Sequence, residues 1–489
     1  MFLRAGALSL GLLVLSRLLG LVRESAQAAA FGATGLGDVA VLMLALPDWI
    51  AGLLAAGALS YVLLPAWARD PAGVAALQRR VAWVLLGIGA GVALLVAVAR
   101  GPALDLLAAG LKETLRPAGM QALVFSAFAI PLSLLAALWT TRLQHEREFV
   151  GMYAANLVVN GVLVAALWFV AGRQDLTWLG VGLLVAMAAR LGWLAWKMAK
   201  VQRQSPAHMA RSGVATNAQP QRLPDEPATG SPTAATWTLA ALAAGLPLAL
   251  PFVARSLASQ SGEGALATFN YAWKLVELPL MLAIQLVATL AFPAIARAVA
   301  ANEGTTAIRN GFALAWTLAC ASAAGLVLAA PALAELLFGW GRMQPEALVN
   351  VADWGRIGAW GLLPQACIAV GVTVLAACGR MAPAVLAYAA GLAVLLFSGF
   401  EHGHALMVLM NLVLIGVAIV VIVALGRWRD VPWRTFAVAF TSLLACDVGS
   451  RFVPVPGMAG QLAMAVVGGV LVIGVTAAAS PEVRAALRR

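Results

Sequence analysis

Charge is scarce in this chain. Only 11% of its 489 residues are charged and 62% are hydrophobic, with a mean hydropathy of +0.91. Soluble domains hold roughly 45–50% apolar residues, so a water-soluble globular protein is excluded. Cysteine is almost absent. The four present, Cys320, Cys367, Cys378 and Cys446, fall in apolar stretches with no Cys-x-x-Cys pair, which leaves no disulfide framework or thiolate metal centre and makes them small hydrophobes. Histidine is equally rare. His402 and His404 form a His-Gly-His with no third ligand nearby, and they read as a solvated loop. No Walker loop, Gly-rich nucleotide fingerprint or nucleophile elbow occurs, so an ATP-driven machine and a hydrolase have no support. Period-two alternation is lacking too, and helices must therefore do any spanning.

What is present is a succession of apolar runs. Most reach 18 residues or more, the length that crosses about 30 Å of hydrocarbon at 1.5 Å per residue. The first run has no cleavage-site pattern and reads as the first span. About fourteen spans are expected, centred on residues 8–30, 39–66, 82–99, 119–140, 150–171, 177–196, 237–258, 265–296, 310–338, 357–378, 382–399, 405–426, 434–450 and 458–479. This is an all-α, polytopic membrane protein. Twenty of the 32 Lys and Arg fall on the side of the N-terminus, seven on the opposite side and five inside spans. The positive-inside rule then places both termini in the cytoplasm, and the formal charge of +11 reads as topology, not as nucleic-acid binding.

Residues 202–236, "QRQSPAHMARSGVATNAQPQRLPDEPATGSPTAAT", break the apolar rhythm. They hold too little apolar surface to fold and are expected to form a disordered cytoplasmic linker. The expected organisation is a six-helix lobe over 1–201, the linker, a second six-helix lobe over 237–430, and two further helices with a basic tail over 431–489. The lobes look like copies: "LLPAWAR" (63–69) recurs as "AFPAIAR" (291–297), and because six spans separate the copies they share one orientation, as in transporters built from parallel repeats. Two facing lobes would enclose a central cavity.

The few charges inside spans carry the functional signal. Arg17, Arg23, Arg190, Arg255 and Lys274 are the bases; Glu24, Asp48, Glu277 and Asp447 are the acids. A charge at a helix centre costs on the order of 3 kcal/mol even on the lenient insertion scale, so such residues face a partner, a bundle interior or water. Asn270, Lys274 and Glu277 share one face, and Lys274 could exist only to neutralise Glu277. Arg17 and Glu24 also share a face but lie too far apart along it to pair. Arg190 sits near the expected cytoplasmic end of its span and reads as a snorkelling side chain.

"SRLLGLVRESAQAAAFGATGLGDVAVLMLALPD" (16–48) resembles the opening of the MurJ/MviN lipid II flippases. The resemblance continues through 55–69, "NLVVNGVL" (156–163), "ARSLASQSGEGALATFNYAWKLVELPL" (254–280), "ELLFGWGRM" (335–343) and "CGRMAPAV" (378–385), and so covers both halves. It implies a fourteen-helix, two-lobed flippase of the bacterial inner membrane that moves an undecaprenyl-pyrophosphate-linked peptidoglycan precursor between leaflets. It further implies that Arg17, Arg23, Arg255 and Lys274 receive the pyrophosphate, with Ser16, Glu24, Asp48, Asn270 and Glu277 as supporting polar groups, and that the partners are the lipid-linked glycan, the bilayer and cell-wall synthesis proteins. No metal or cofactor is implied. Coupling to the membrane potential or to a cation stays open, but Ala254 stands where relatives carry the acid of a sodium site. Ala51 and Ala56 likewise replace charged residues of the pattern. Three other readings stand beside this one: a flippase for another polyprenyl-linked oligosaccharide, a drug antiporter, whose cationic substrates call for an acid-rich cavity, and a membrane scaffold that has lost its site.

Overall fold

The computed structural model describes residues 2–52, 58–173, 175–212, 234–285, 295, 305–399, 402–426, 428–452 and 455–487. Among them are eighteen α-helices and no strand. The first eight are α1 (Phe2–Phe31), α2 (Gly35–Ala51), α3 (Ala58–Arg69), α4 (Val74–Val98), α5 (Arg100–Leu107), α6 (Arg116–His145), α7 (Phe149–Val170) and α8 (Leu176–Ser212). The second set begins with α9 (Ala234–Ala258), α10 (Ala265–Pro279), α11 (Thr305–Phe338), α12 (Pro345–Ala359), α13 (Leu362–Ala377), α14 (Ala382–Phe397) and α15 (Gly403–Leu425). It ends with α16 (Trp433–Phe452), α17 (Met458–Ala479) and the short α18 (Pro481–Leu487).

Eight of these helices are long and apolar enough to cross a membrane, and α12 with α13, bent by 46° at their junction, makes up to nine. Over the described residues, each of the fourteen expected spans coincides with helix. Of the remaining helices, α2, α3, α10 and α14 are each shorter than 18 residues over the described chain, the residues between α2 and α3 lying outside it. In α10 the break follows Pro279, where the helix widens into a π-turn over Leu280–Gln285, because proline removes one ladder hydrogen bond and crowds the preceding turn.

Helices α1–α8 pack on one another through α1/α7, α7/α8, α4/α6, α6/α8 and α2/α6; α9–α15 form a second bundle around α10, α11 and α13. Helices α16 and α17 lie against α11, on which small residues allow close approach: the Gly468 backbone meets Leu328, and Gly469 faces Ala321. The segment expected to be unstructured from residue 202 is helical through 202–212, as the end of α8, and again from Ala234. A helix nucleated by a span extends through residues such as Gln202, Arg203 and Ala207 at little cost, because propagation needs no new nucleus. Residues 213–233, Ala56 and all of 291–297 except Ile295 lie outside the described residues. Cys378 caps α13 and is exposed, since that helix ends at Ala377 and Gly379 turns the chain with φ +67°.

The two bundles are fastened at one end by backbone as much as by side chains. Gly264, the N-cap of α10, has no side chain with which to satisfy the first N–H groups of its helix, and Asp38 of α2 does so from the other bundle. Its carboxylate accepts from Gly264 N and Ala267 N, each at 2.8 Å, and is buried. Gly264 adopts φ +80° with its α-carbon turned against the Ala33 carbonyl, and Gly341 adopts φ +64° against that of Ala29; any Cβ at either position would collide with backbone. Arg342 N donates to Ala29 O at 3.0 Å. At the rim, Glu263 accepts from Gly35 N at 3.2 Å and pairs with Lys112 at 2.5 Å. The Lys112 ammonium and then the Gly35 N–H hold the Glu263 carboxyl below its ordinary value, so this bridge is present above the usual carboxylate range and is lost as acidification protonates it.

Replacing Asp38 with Ala strands two buried N–H groups and should raise the population open at this end about tenfold or more. Spin labels at the exposed positions Leu106 and Trp340, one on each bundle, should then report longer separations. An unchanged distance distribution would show that the glycine contacts alone hold the end shut.

Candidate functional site

Between the bundles lies one cavity of about 980 Å³. Its walls come from α1, α2, α6 and α7 on one side and α9, α10 and α13–α15 on the other, with Ser60 of α3 and Arg190 of α8 at its edge. The wall is chemically divided. The faces of α1, α2, α8, α9 and α10 carry the charged groups, whereas α13–α15 present Ile368, Val372, Val385, Tyr388, Met410 and Leu414. Trp49 stacks on Phe252 across the bundles, with ring centroids 4.4 Å apart and planes 12° from parallel, so an aromatic contact bounds the polar region.

Ser16, Arg17, Arg23, Glu24, Asp48, Arg255, Asn270, Lys274 and Glu277, the nine residues singled out in the sequence, all line this cavity. The geometry sorts the bases into two kinds. Arg23 donates to Glu24 at 2.7 Å and to Asp48 at 3.3 Å. Lys274 holds Glu277 at 2.7 Å and reaches Glu24 at 3.8 Å. Glu24 also accepts from Asn270 Nδ2 at 3.1 Å, so one buried carboxylate of α1 ties Arg23 to two side chains of the opposite bundle. These bases are already answered by acids. Arg17 and Arg255 make no ion pair among the described residues, and the buried Nε of Arg255 has no hydrogen-bond partner there. They are the open donors.

The expectation of a Lys274–Glu277 pair thus has its geometry, while Arg17 and Glu24 form no pair. Arg190 is a correction. Near the end of a span closing at residue 196 its guanidinium is expected to snorkel, but the side chain lines the cavity wall with its Nε unpartnered. Gln27, on the α1 face that carries Arg23, was also missed; it is buried, and its amide nitrogen has no partner. The available signal was helical spacing, since Gln27 lies four residues after Arg23. Ala51 lines the cavity and Ala254 is buried, so neither position supplies charge.

The sequence model of the family described as Lipid II flippase MurJ matches residues 27–444. The chain belongs to this family. A lipid II flippase MurJ of Burkholderia cenocepacia is 26% identical over 366 residues, covering 70% of this chain and 67% of that protein. Among solved structures, a lipid II flippase MurJ in an inward closed conformation superposes with a TM-score of 0.77 at 12% identity, covering 96% of this chain and 98% of that one. An inward-facing MATE-family multidrug resistance transporter of the MOP superfamily gives 0.60 at 15% identity, over 87% and 98%. These structural likenesses establish the fold, and the family match sets the chain among multi-pass membrane transporters.

The Lys274–Glu277 pair makes its own forecast. Lys274→Met should strand a half-buried acid and lower thermal stability in detergent by about 1–3 kcal/mol. Glu277→Gln in the same chain should restore it. A Lys274→Met protein as stable as the wild type would mean that water in the cavity solvates Glu277 unaided.

Proposed function

We infer that this protein translocates lipid II, the polyprenyl-pyrophosphate-linked peptidoglycan precursor, from the inner to the outer leaflet of the bacterial cytoplasmic membrane, with both termini in the cytoplasm. The observation that carries this reading is the divided cavity: unpaired guanidiniums on one wall and apolar side chains on the other. A lipid-linked sugar pyrophosphate has the same division, an anionic and polar head joined to a hydrocarbon tail. Arginine offers a planar fork of donors to phosphate oxygens, which makes Arg17 and Arg255 the primary receivers. Arg23 and Lys274 act second, because a pyrophosphate must compete with Glu24, Asp48 and Glu277 for them. That competition loosens the Glu24 node between the bundles as the head arrives, and so couples binding to relative motion of the lobes. Release on the far side then requires the Asp38 fastening to part.

Family membership favours lipid II over another polyprenyl-linked oligosaccharide. The excess of basic over acidic side chains favours an anion over the cations of a drug antiporter, and a scaffold would have no need of unpaired arginines in lipid. Ala254 in place of the sodium-site acid argues for drive by the membrane potential or by another ion. Cell-wall synthesis enzymes are the natural protein partners, since they consume the exported precursor.

In cells depleted of their own lipid II flippase, the wild-type chain should restore growth and precursor exposure at the outer leaflet. Arg17→Ala and Arg255→Ala should each lower exposure about tenfold at normal membrane abundance, since a charge-assisted contact is worth roughly 1.5–3 kcal/mol. Failure of the wild type to rescue, with the protein inserted and abundant, would contradict the reading; full activity of the double variant would remove the proposed receivers.

A further inference from the structure

The charged groups on the cavity wall do not cancel. Its bases are Arg17, Arg23, Arg190, Arg255 and Lys274, and its acids are Glu24, Asp48 and Glu277, which leaves a formal excess of two positive charges. Two of the five bases are committed to acids. The excess therefore resides in Arg17, Arg190 and Arg255, which form no ion pair among the described residues. A low-dielectric cavity holding such an excess is costly when empty and favours a ligand of matching charge.

Arg190 supplies one of these charges from a helix of its own. It enters from α8, whereas every other base stands on α1, α9 or α10. Asp48 of α2 is the acid within its electrostatic reach, but Asp48 is already bonded to Arg23. The Arg190 Nε, shielded from solvent by the protein, is left without an acceptor. Without Arg190 the wall would carry one excess charge. A pyrophosphate esterified at both ends keeps one ionised oxygen on each phosphorus, about two negative charges, whereas a phosphodiester keeps only one.

We propose that Arg190 is the specificity-determining base of the cavity, the charge that sets it for a pyrophosphate-bridged lipid-linked sugar over one joined through a single phosphate. This rests on the reading of the substrate as a polyprenyl-linked sugar. It assigns to α8 a role beyond structure, and it accounts for a chain that lacks charge at Ala51 yet keeps a cavity suited to a doubly charged head.

The test uses the full-length protein in nanodiscs and two probes: a polyprenyl-pyrophosphate-linked sugar, and the same polyprenol carrying that sugar through one phosphodiester. The wild type should bind the first about tenfold more tightly than the second. Arg190→Gln should reduce the preference to about threefold or less, mainly by weakening the pyrophosphate probe, while Arg190→Lys should keep most of it. Asp48→Asn, at a half-exposed side chain, raises the excess to three and should widen the preference, which gives a readout independent of whether Arg190→Gln accumulates. An unchanged ratio in Arg190→Gln or in Asp48→Asn, or no preference in the wild type, overturns the assignment of Arg190 while leaving lipid-linked sugar binding intact. Binding of neither probe above bulk anionic lipid overturns both the assignment and the substrate reading on which it rests.

Discussion

Uncompensated positive charge in a cavity between two apolar bundles is the constraint around which this structure is organised. Burying a guanidinium is expensive, and a chain with 11% charged residues spends few of them inside its spans. All but Asp447, which Arg451 and Arg356 hold, converge on one cavity. Glu24 prevents the arrangement from becoming pure repulsion: it is buried between Arg23 and Lys274 and also bonded by Asn270, so it draws the two bundles together beneath the open donors. The site is thus a partly neutralised cluster with a few free guanidiniums beside it, and a multivalent anion is the ligand that completes its electrostatics.

The fastening at the N-terminus of α10 follows a different physics. There the bundles touch through backbone, with glycines where a Cβ would collide and with Asp38 capping a helix that belongs to the opposite lobe. Backbone contacts of this kind are either made or broken and admit little gradual strain, which suits a transporter that must hold one end shut while the other is accessible. The Glu24 node and the Asp38 cap are both contacts between α1 or α2 and α10, so a ligand that disturbs the first acts on the same helices that form the second.

Much of this was legible in the sequence because the solvent is lipid. A base among leucines is conspicuous, and nine singled-out residues lie on one cavity wall although they come from four helices distant in sequence. The pairing between them was only partly legible. Lys274 and Glu277 are three apart on one helix and announce each other, but the Glu24–Asn270 and Arg23–Asp48 contacts depend on how helices meet, which no periodicity encodes. Arg190 was misread because its place near the end of an apolar run points to the interface, whereas the face of α8 that carries it turns to the cavity, which the run alone does not encode. Asp38 was invisible as a cap because its partners are N–H groups, which carry no sequence signal at all.

The central claim is that the open guanidiniums of the cavity receive a pyrophosphate. Electron cryo-microscopy of the full-length protein in nanodiscs, with lipid II added, tests it most directly. Phosphate density is expected within hydrogen-bonding distance of Arg17 and Arg255, with the sugar held between the bundles and the tail along the α13–α15 wall. A lipid II head bound elsewhere, with the arginines unchanged and solvated by water alone, would contradict it.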